Sequence, residues 1–486
     1  MRAAPLLAAA VLAGSLVAGC SSDADEPEAS PAPGAPVSPS GSSEAPTGGL
    51  DLAVNEPVED RVYPDVGDPS VDALHYDLTL DWDPEASVLR GEETLTFRAT
   101  TTGDRFQLDL GEPLEVEEAT LDGEPVEVEH DGKDLVVLAP VEADTRHELA
   151  LTYAGTPEPT PAPTTRTDFD STGWQTTRRG ETWTMQEPYG AFTWYAVNDH
   201  PSDKALYDFT ITVPSPWVGV ANGELRSRTD EDGVTETRWH LAEPAASYLV
   251  TVATGPFLVQ EHESASGVPL TYWTREGQAK YAAAVRETAA GLDWLEERLG
   301  PYPFDTLGIV VVDGDSGMET QTMITLGDND YATSPEVLVH EMAHHWYGDQ
   351  VTPRDWRDVW MNEGMAMYLQ GVWTAEDTGT SVEQVMDAWA VEEPTYRAES
   401  GPPAAYDPRT FGEGNIYYGP ALMWHELRER VGDEEFWAMV RAWPASRDNG
   451  HGSRDEYLAW IEEQTGEELT AFFDDWLLGE TTPSRD

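Results

Sequence analysis

The segment His340-Glu341-Met342-Ala343-His344 sets two imidazoles four residues apart with a carboxylate beside them. On a helix, positions i and i+4 share one face, so both rings can reach a single ion at ~2.0–2.1 Å. Glu341 is then placed to take a proton from a water held by that ion. Val337, Leu338, Ala343 and Trp346 supply the apolar positions of a buried helix, and Gly348 supplies its stop. With His345, three of the eleven histidines fall within six residues. The plainer alternative is an ordinary helix whose histidines are core or surface residues. Eighteen residues after His344 comes Asn362-Glu363, within Val359–Met367. A second helix packed against the first could offer Glu363 as a third ligand. Two imidazoles and one carboxylate leave the fourth position of a tetrahedral zinc ion open for water, which is the arrangement of a hydrolytic site. A structural zinc would normally use four protein ligands, often cysteines. The chain has a single cysteine, Cys20, so no disulfide can form within it.

The run HEMAHHWYGDQVTPRDWRDVWMNEGMA resembles the zinc-binding segment of the gluzincin zinc aminopeptidases, peptidase family M1. The likeness extends beyond the ligands through Trp346, Gly348-Asp349, Val351-Thr352 and Trp356. It implies one Zn2+ per chain held by His340, His344 and Glu363, with Glu341 as general base. Ser316-Gly317-Met318-Glu319-Thr320 stands where the family has its GxMEN-type exopeptidase segment. The resemblance therefore places Gly317 and Met318 along the substrate and Glu319 on its free α-amine, while Thr320 replaces the usual Asn. Glu187–Ala191 and Trp194–Ala205 resemble the N-terminal-domain segment that borders the family's active site, which makes Gln186 and Glu187 candidates for a second amine contact. Ile416-Tyr417-Tyr418-Gly-Pro-Ala-Leu422 resembles the stretch holding the catalytic tyrosine. Alignment on the Ala-Leu step gives that role to Tyr417, with Tyr418 as the alternative. Gly419-Pro420 departs from the basic residue plus Gly usual there.

The elements that must position these groups follow from periodicity. From about Val71 to Phe257 the pattern is mostly β: segments such as His75–Leu80, Glu93–Arg98 and Tyr207–Val213 alternate polar and apolar residues. Asp122-Gly123, Asp131-Gly132, Asn222-Gly223 and Asp232-Gly233 read as hairpin turns between such runs. Residues 156–163, TPEPTPAP, read as a surface loop, being too rich in proline for an interior strand. After about Val259 the character changes. Residues 277–299 carry Val285, Leu292, Leu295 and Leu299 on a helical period ended by Gly300-Pro301, Leu307–Val312 reads as a buried strand, and the chain is mostly helical from Pro335 on. The predicted fold is α+β. The resemblance, which spans nearly all of residues 70–480, refines it to a saddle-like N-terminal antiparallel β domain followed by a mostly helical, thermolysin-like zinc peptidase domain. The boundaries are set at 51–258 and 259–486. Larger members continue into a helical C-terminal domain. Because the sequence stops soon after Phe472–Gly479, that domain is expected to be absent and the cleft more open.

Residues 1–19 have the Arg, apolar run and small residues of an exported protein's signal, and Val17-Ala18-Gly19-Cys20 resembles a bacterial lipobox. Cys20 is expected to be lipidated and to begin the mature chain, with the Ser/Pro/Ala/Gly-rich residues 20–50 as a flexible spacer. That places the protein outside the cytoplasm, anchored to the membrane. The net charge of −63 argues against nucleic acid as a partner, because phosphates are held by a basic footprint that is missing here. Docking on anionic lipid by charge is disfavoured for the same reason. The expected partners are peptides with a free N-terminus, with no obligatory protein partner. Three other readings compete with the aminopeptidase: a zinc endopeptidase indifferent to free amines, a non-catalytic lipoprotein that binds at the cell surface, and, by resemblance to leukotriene-converting relatives, an epoxide hydrolase, for which the sequence shows no discriminating residue.

Overall fold

The alternation in Val71–Asp83 carries Tyr76, Leu78, Leu80 and Trp82 into a core while the residues between them face outward, so this segment becomes a strand with one buried face. The computed structural model describes residues 49–485; the proposed signal, Cys20 and the spacer up to residue 48 lie outside the described residues. Val71–Asp83 lies inside an eight-stranded sheet. The sheet's order is Glu224–Glu231, Val234–Ala246, Lys204–Pro214, Val71–Asp83, Val88–Ala99, Arg146–Gly155, Leu114–Leu121 and Glu124–Pro125. Its strands pair antiparallel with one exception. Val71–Asp83 runs parallel to Lys204–Pro214, with His75 opposite Leu206. A parallel pair needs a crossover, and the chain between these strands supplies three strands of a second, five-stranded sheet.

The four turn signals do not behave alike: Asp131 ends a strand, and its hairpin turns on Gly132-Lys133. Asp122-Gly123 and Asp232-Gly233 have positive φ at both residues and close two-residue hairpins. Asn222-Gly223 does not make a hairpin: it carries the chain from Val218–Ala221 in one sheet to Glu224–Glu231 in the other. The Asn222 amide donates to the carbonyls of Leu249 and Gln321, which fixes the crossover. The proline-rich loop also differs from expectation. Thr160–Pro161 forms a two-residue edge strand against Ser171 and Thr172, a place where the missing N–H of proline costs no ladder bond.

Phe257–Glu263 opens the sheet of the second half, ordered Phe257–Glu263, Pro269–Arg275, Leu307–Val312, Met323–Gly327 and Gly317–Met318. Leu307–Val312 is buried along its whole length and pairs parallel on both sides. Both edge strands pair antiparallel, Phe257–Glu263 with Pro269–Arg275 and the short Gly317–Met318 with Met323–Gly327. Nine α-helices accompany this sheet among the described residues, the first two between Pro269–Arg275 and Leu307–Val312: α1 Ala279–Ala284, α2 Thr288–Leu299, α3 Pro335–His344, α4 Trp360–Thr378, α5 Val382–Ser400, α6 Tyr418–Val431, α7 Asp433–Ala445, α8 Arg454–Thr465 and α9 Thr470–Leu477. The helix predicted over 277–299 is thus two helices joined by a 3-10 turn at Val285–Glu287. None of these helices is long and apolar enough to cross a membrane.

The apolar core does not stop where the two halves meet. One cluster joins Trp194, Tyr248 and Val250 of the β half to Val310, Met318, Trp356, Val359 and Phe411 of the helical half. Lys204 reinforces the junction. Its buried ammonium donates to the carbonyls of Asp349 and Gln350, at 2.7 and 3.1 Å, in the loop just after α3.

Candidate metal centre and cleft

Pro335, preset for the first helical turn, starts α3, and residues Val337 to His344 are all buried. Glu363 lies in the first turn of α4, the end of a helix that favours a negative charge. α3 and α4 pack together and bring three donors to one point. His340 Nε2 and His344 Nε2 are 3.1 Å apart, and Glu363 Oε2 lies 3.3 Å from the first and 3.4 Å from the second. Tetrahedral ligands at ~2.0–2.1 Å from zinc stand about 3.3 Å from one another, so the triangle fits a zinc ion. His344 Nδ1 is 3.1 Å from the Tyr347 carbonyl oxygen, a bond that puts the ring proton on Nδ1 and leaves Nε2 as ligand. Burial alone would raise the Glu363 carboxyl, but His344 and His340 overcome it and hold the group well below the usual carboxylate range. Burial lowers His340 and keeps its imidazole neutral. Around His344, Glu319 and Glu363 outweigh burial and push the ring upward. A site that draws a proton onto a buried imidazole is short of positive charge, and a divalent cation supplies it.

Further carboxylates converge on the same point. Oxygens of Glu187, Glu319 and Glu363 lie within 4.8 Å of one another. Glu319 is only 3% exposed, yet its Oε1 has no hydrogen-bond partner; Glu187 Oε1 is likewise buried and unpartnered. Burial, then the charge of Glu319, raises Glu341 well above the ordinary carboxylate value. Such oxygens are costly unless a cation meets them. Gly317 makes room for the Glu341 carboxyl, since a Cβ there would stand 2.4 Å from Oε1.

The groups face a cavity of about 410 Å³. Of the residues singled out in the sequence, His340, His344, Glu363, Glu341, Glu319, Glu187, Gly317, Met318 and Tyr417 all line it. The Tyr417 ring stacks on His340 with centroids 6.0 Å apart. Tyr418 also reaches the cavity, but its ring packs between Trp389 and Tyr396, at 5.6 and 5.4 Å. Gln186 is a correction. It is fully buried behind the cavity, where its amide donates to the Ser247 and Val250 carbonyls and accepts from Trp194 Nε1. Buried there and absent from the cavity lining, the amide does not meet a substrate amine. His345 is turned away too: its Nδ1 meets the Tyr302 hydroxyl at 2.8 Å. Among the cavity residues that were not anticipated, one is charged and touches a predicted catalytic group. Arg166, just beyond the proline-rich edge strand, brings a guanidinium within 3.4 Å of Tyr417 Oη. A basic residue next to a proline-rich stretch was the available signal, and it is a weak one.

Two family models match the chain, the peptidase M1 N-terminal domain over residues 72–249 and the peptidase family M1 domain over 283–476. Aminopeptidase N of Streptomyces lividans is 26% identical over 448 residues, covering 84% of this chain and 50% of the relative. Glutamyl aminopeptidase of Sus scrofa is 26% identical over 350 residues, covering 65% of this chain and 37% of the relative. The chain thus spans half or less of the length of these curated relatives. A solved structure of an M1 zinc metallopeptidase mutant from Deinococcus radiodurans, bound to a Tyr-Ser-Ala substrate, matches with a TM-score of 0.79 at 28% identity, covering 88% of this chain and 99% of that one. A two-domain M1 zinc metallopeptidase mutant bound to L-arginine matches with a TM-score of 0.79 at 27% identity, with the same coverage.

Proposed function

The chain belongs to peptidase family M1, and from that premise we propose that it is a zinc aminopeptidase that hydrolyses the first peptide bond of substrates with a free N-terminus. His340, His344 and Glu363 hold the metal. When bound, zinc lowers the pKa of a water and polarises the scissile carbonyl. Glu341 takes the proton of the attacking water and passes it to the leaving nitrogen, a task suited to a buried carboxyl that binds protons readily. The Tyr417 hydroxyl donates to the oxygen on which negative charge develops. Glu319 and Glu187 pair with the substrate ammonium. The edge strand Gly317–Met318 offers its open side to an extended substrate backbone.

One observation favours an exopeptidase over an endopeptidase: a buried carboxylate oxygen of Glu319, with no hydrogen bond and 3.9 Å from His344 Nδ1, belongs to the cavity lining beside the metal ligands. An ammonium anchored there leaves only the first peptide bond in reach of the metal, and an acylated substrate would leave that carboxylate unpaired. The test compares one peptide with a free and with an acetylated N-terminus, each with and without chelator. We expect chelator-sensitive cleavage of the free form alone. Equal rates would instead identify an endopeptidase, and no cleavage of any peptide a binding lipoprotein.

We further propose an extracytoplasmic protein anchored through a lipid on Cys20, a reading supported by the sequence alone. Intact mass of detergent-extracted protein should show a chain beginning at acylated Cys20. An unmodified Cys20 in such a preparation would overturn it.

A further inference from the structure

Among the described residues lining the cavity, Arg166 is the one Arg or Lys. Its guanidinium is gripped from several sides. Asp168 accepts from Nε at 3.0 Å and also from Nη2, Gly412 O accepts from Nη1 at 3.0 Å, and the Phe169 ring lies under the planar group at 4.5 Å. The segment that carries it is bonded to the chain leading into Tyr417. The Phe411 N–H donates to Pro163 O at 2.9 Å, Thr164 Oγ1 to Phe411 O at 2.6 Å, and Thr165 Oγ1 to Glu413 Oε1 at 2.6 Å. So fixed, Arg166 Nη1 points at Tyr417 Oη across 3.4 Å, a length that closing of the site around a substrate can shorten.

We propose that Arg166 is the positioning residue for Tyr417: its guanidinium occupies one lone pair of Oη and so turns the phenolic proton toward the reacting carbonyl. A guanidinium has five N–H donors and no acceptor. Tyr417 cannot donate to it, so the hydroxyl hydrogen must point elsewhere. His340 Nε2, the acceptor on the ring stacked against Tyr417, is committed to the metal. Glu363, the carboxylate whose charge acts most on Tyr417, is a ligand of the same metal, so the direction left for the proton is the open cavity. The fixed positive charge also favours negative charge growing nearby, without entering the bond changes itself. This inference rests on the aminopeptidase reading above.

The test is a double-mutant cycle on aminoacyl substrates, with metal content and melting temperature measured for each protein. Arg166→Met should lower kcat about 10- to 100-fold, the scale of a misplaced catalytic group, with KM within about threefold of the unaltered enzyme and zinc unchanged. Tyr417→Phe should be the more damaging single change. In the Tyr417→Phe background, Arg166→Met should cost less than about threefold, because the group it orients is gone. Arg166→Lys, which keeps charge and donor, should recover part of the kcat and stands in should the Met variant fail to fold. Equal costs in both backgrounds, a loss expressed in KM, or a Lys variant no better than Met in kcat would overturn the proposal while leaving the aminopeptidase intact. Absence of chelator-sensitive cleavage by the unaltered protein would overturn both.

Discussion

Glu341 and Glu363 are buried carboxyls in one cavity with opposite proton affinities, Glu341 raised and Glu363 held down. That contrast divides their roles between proton carrier and ligand. Glu341→Gln should keep one zinc per chain and lose about 10²–10⁴ in rate, whereas Glu363→Ala should lose the metal. Metal analysis beside aminoacyl kinetics checks both, and a Glu341→Gln protein of undiminished rate would remove the assignment. The two histidine ligands were legible because four-residue spacing on a helix is already geometry, whereas Glu363, on another helix, was fixed by the resemblance. Gln186 was not. Sequence adjacency to Glu187 says nothing of direction, and the two side chains diverge, one into the cavity and one into backbone carbonyls behind it. Arg166 was hidden for another reason: its contact with Tyr417 spans 251 positions and exists only once the halves are folded together.

At the scale of elements, the site depends on how closely α4 approaches α6, since α4 carries Glu363 and α6 begins directly after Tyr417. Gly364 sets that distance. A Cβ there would meet Pro420 Cβ at 2.2 Å, and a proline ring cannot swing aside. Gly364→Ala gains about 1 kcal/mol of helix propensity but forces the helices apart, an overpacking that costs ~1–3 kcal/mol or more. We expect weaker zinc binding together with a lower melting temperature. Chelator competition and thermal denaturation measure the two, and a variant that binds zinc normally would show that the spacing is slack. The strongly periodic elements were readable in sequence; their partners were less so. Glu93-Thr94-Leu95 alternates as a strand wherever it lies, but nothing local says that Val71–Asp83 pairs in parallel with Lys204–Pro214 or that Asn222-Gly223 crosses between sheets. Those outcomes are set by packing between distant segments.

For the molecule as a whole, Glu93 gives stability a pH dependence. It shares the inner strand face with Leu95 and Phe97, is 2% exposed, and accepts one bond, from the Ala196 N–H at 2.9 Å. Burial raises its pKa to about 8. The folded protein therefore holds a proton that the unfolded chain releases near pH 4.3, so this contribution is full below that value and is lost as pH rises toward 8. Glu93→Gln keeps the acceptor without the charge. Its melting temperature should change less between pH 5 and 9 than that of the unaltered protein, by a few degrees, and parallel profiles would exclude Glu93 as the source. The core shared across the junction has a separate outcome for anyone dissecting the protein. A fragment starting at Phe257 would leave Val310, Trp356 and Phe411 bare to water and Asp349 and Gln350 without the ammonium that caps them. The peptidase half is therefore not a portable cassette: it should be recovered as aggregate when expressed alone, and soluble only when the β half is supplied with it.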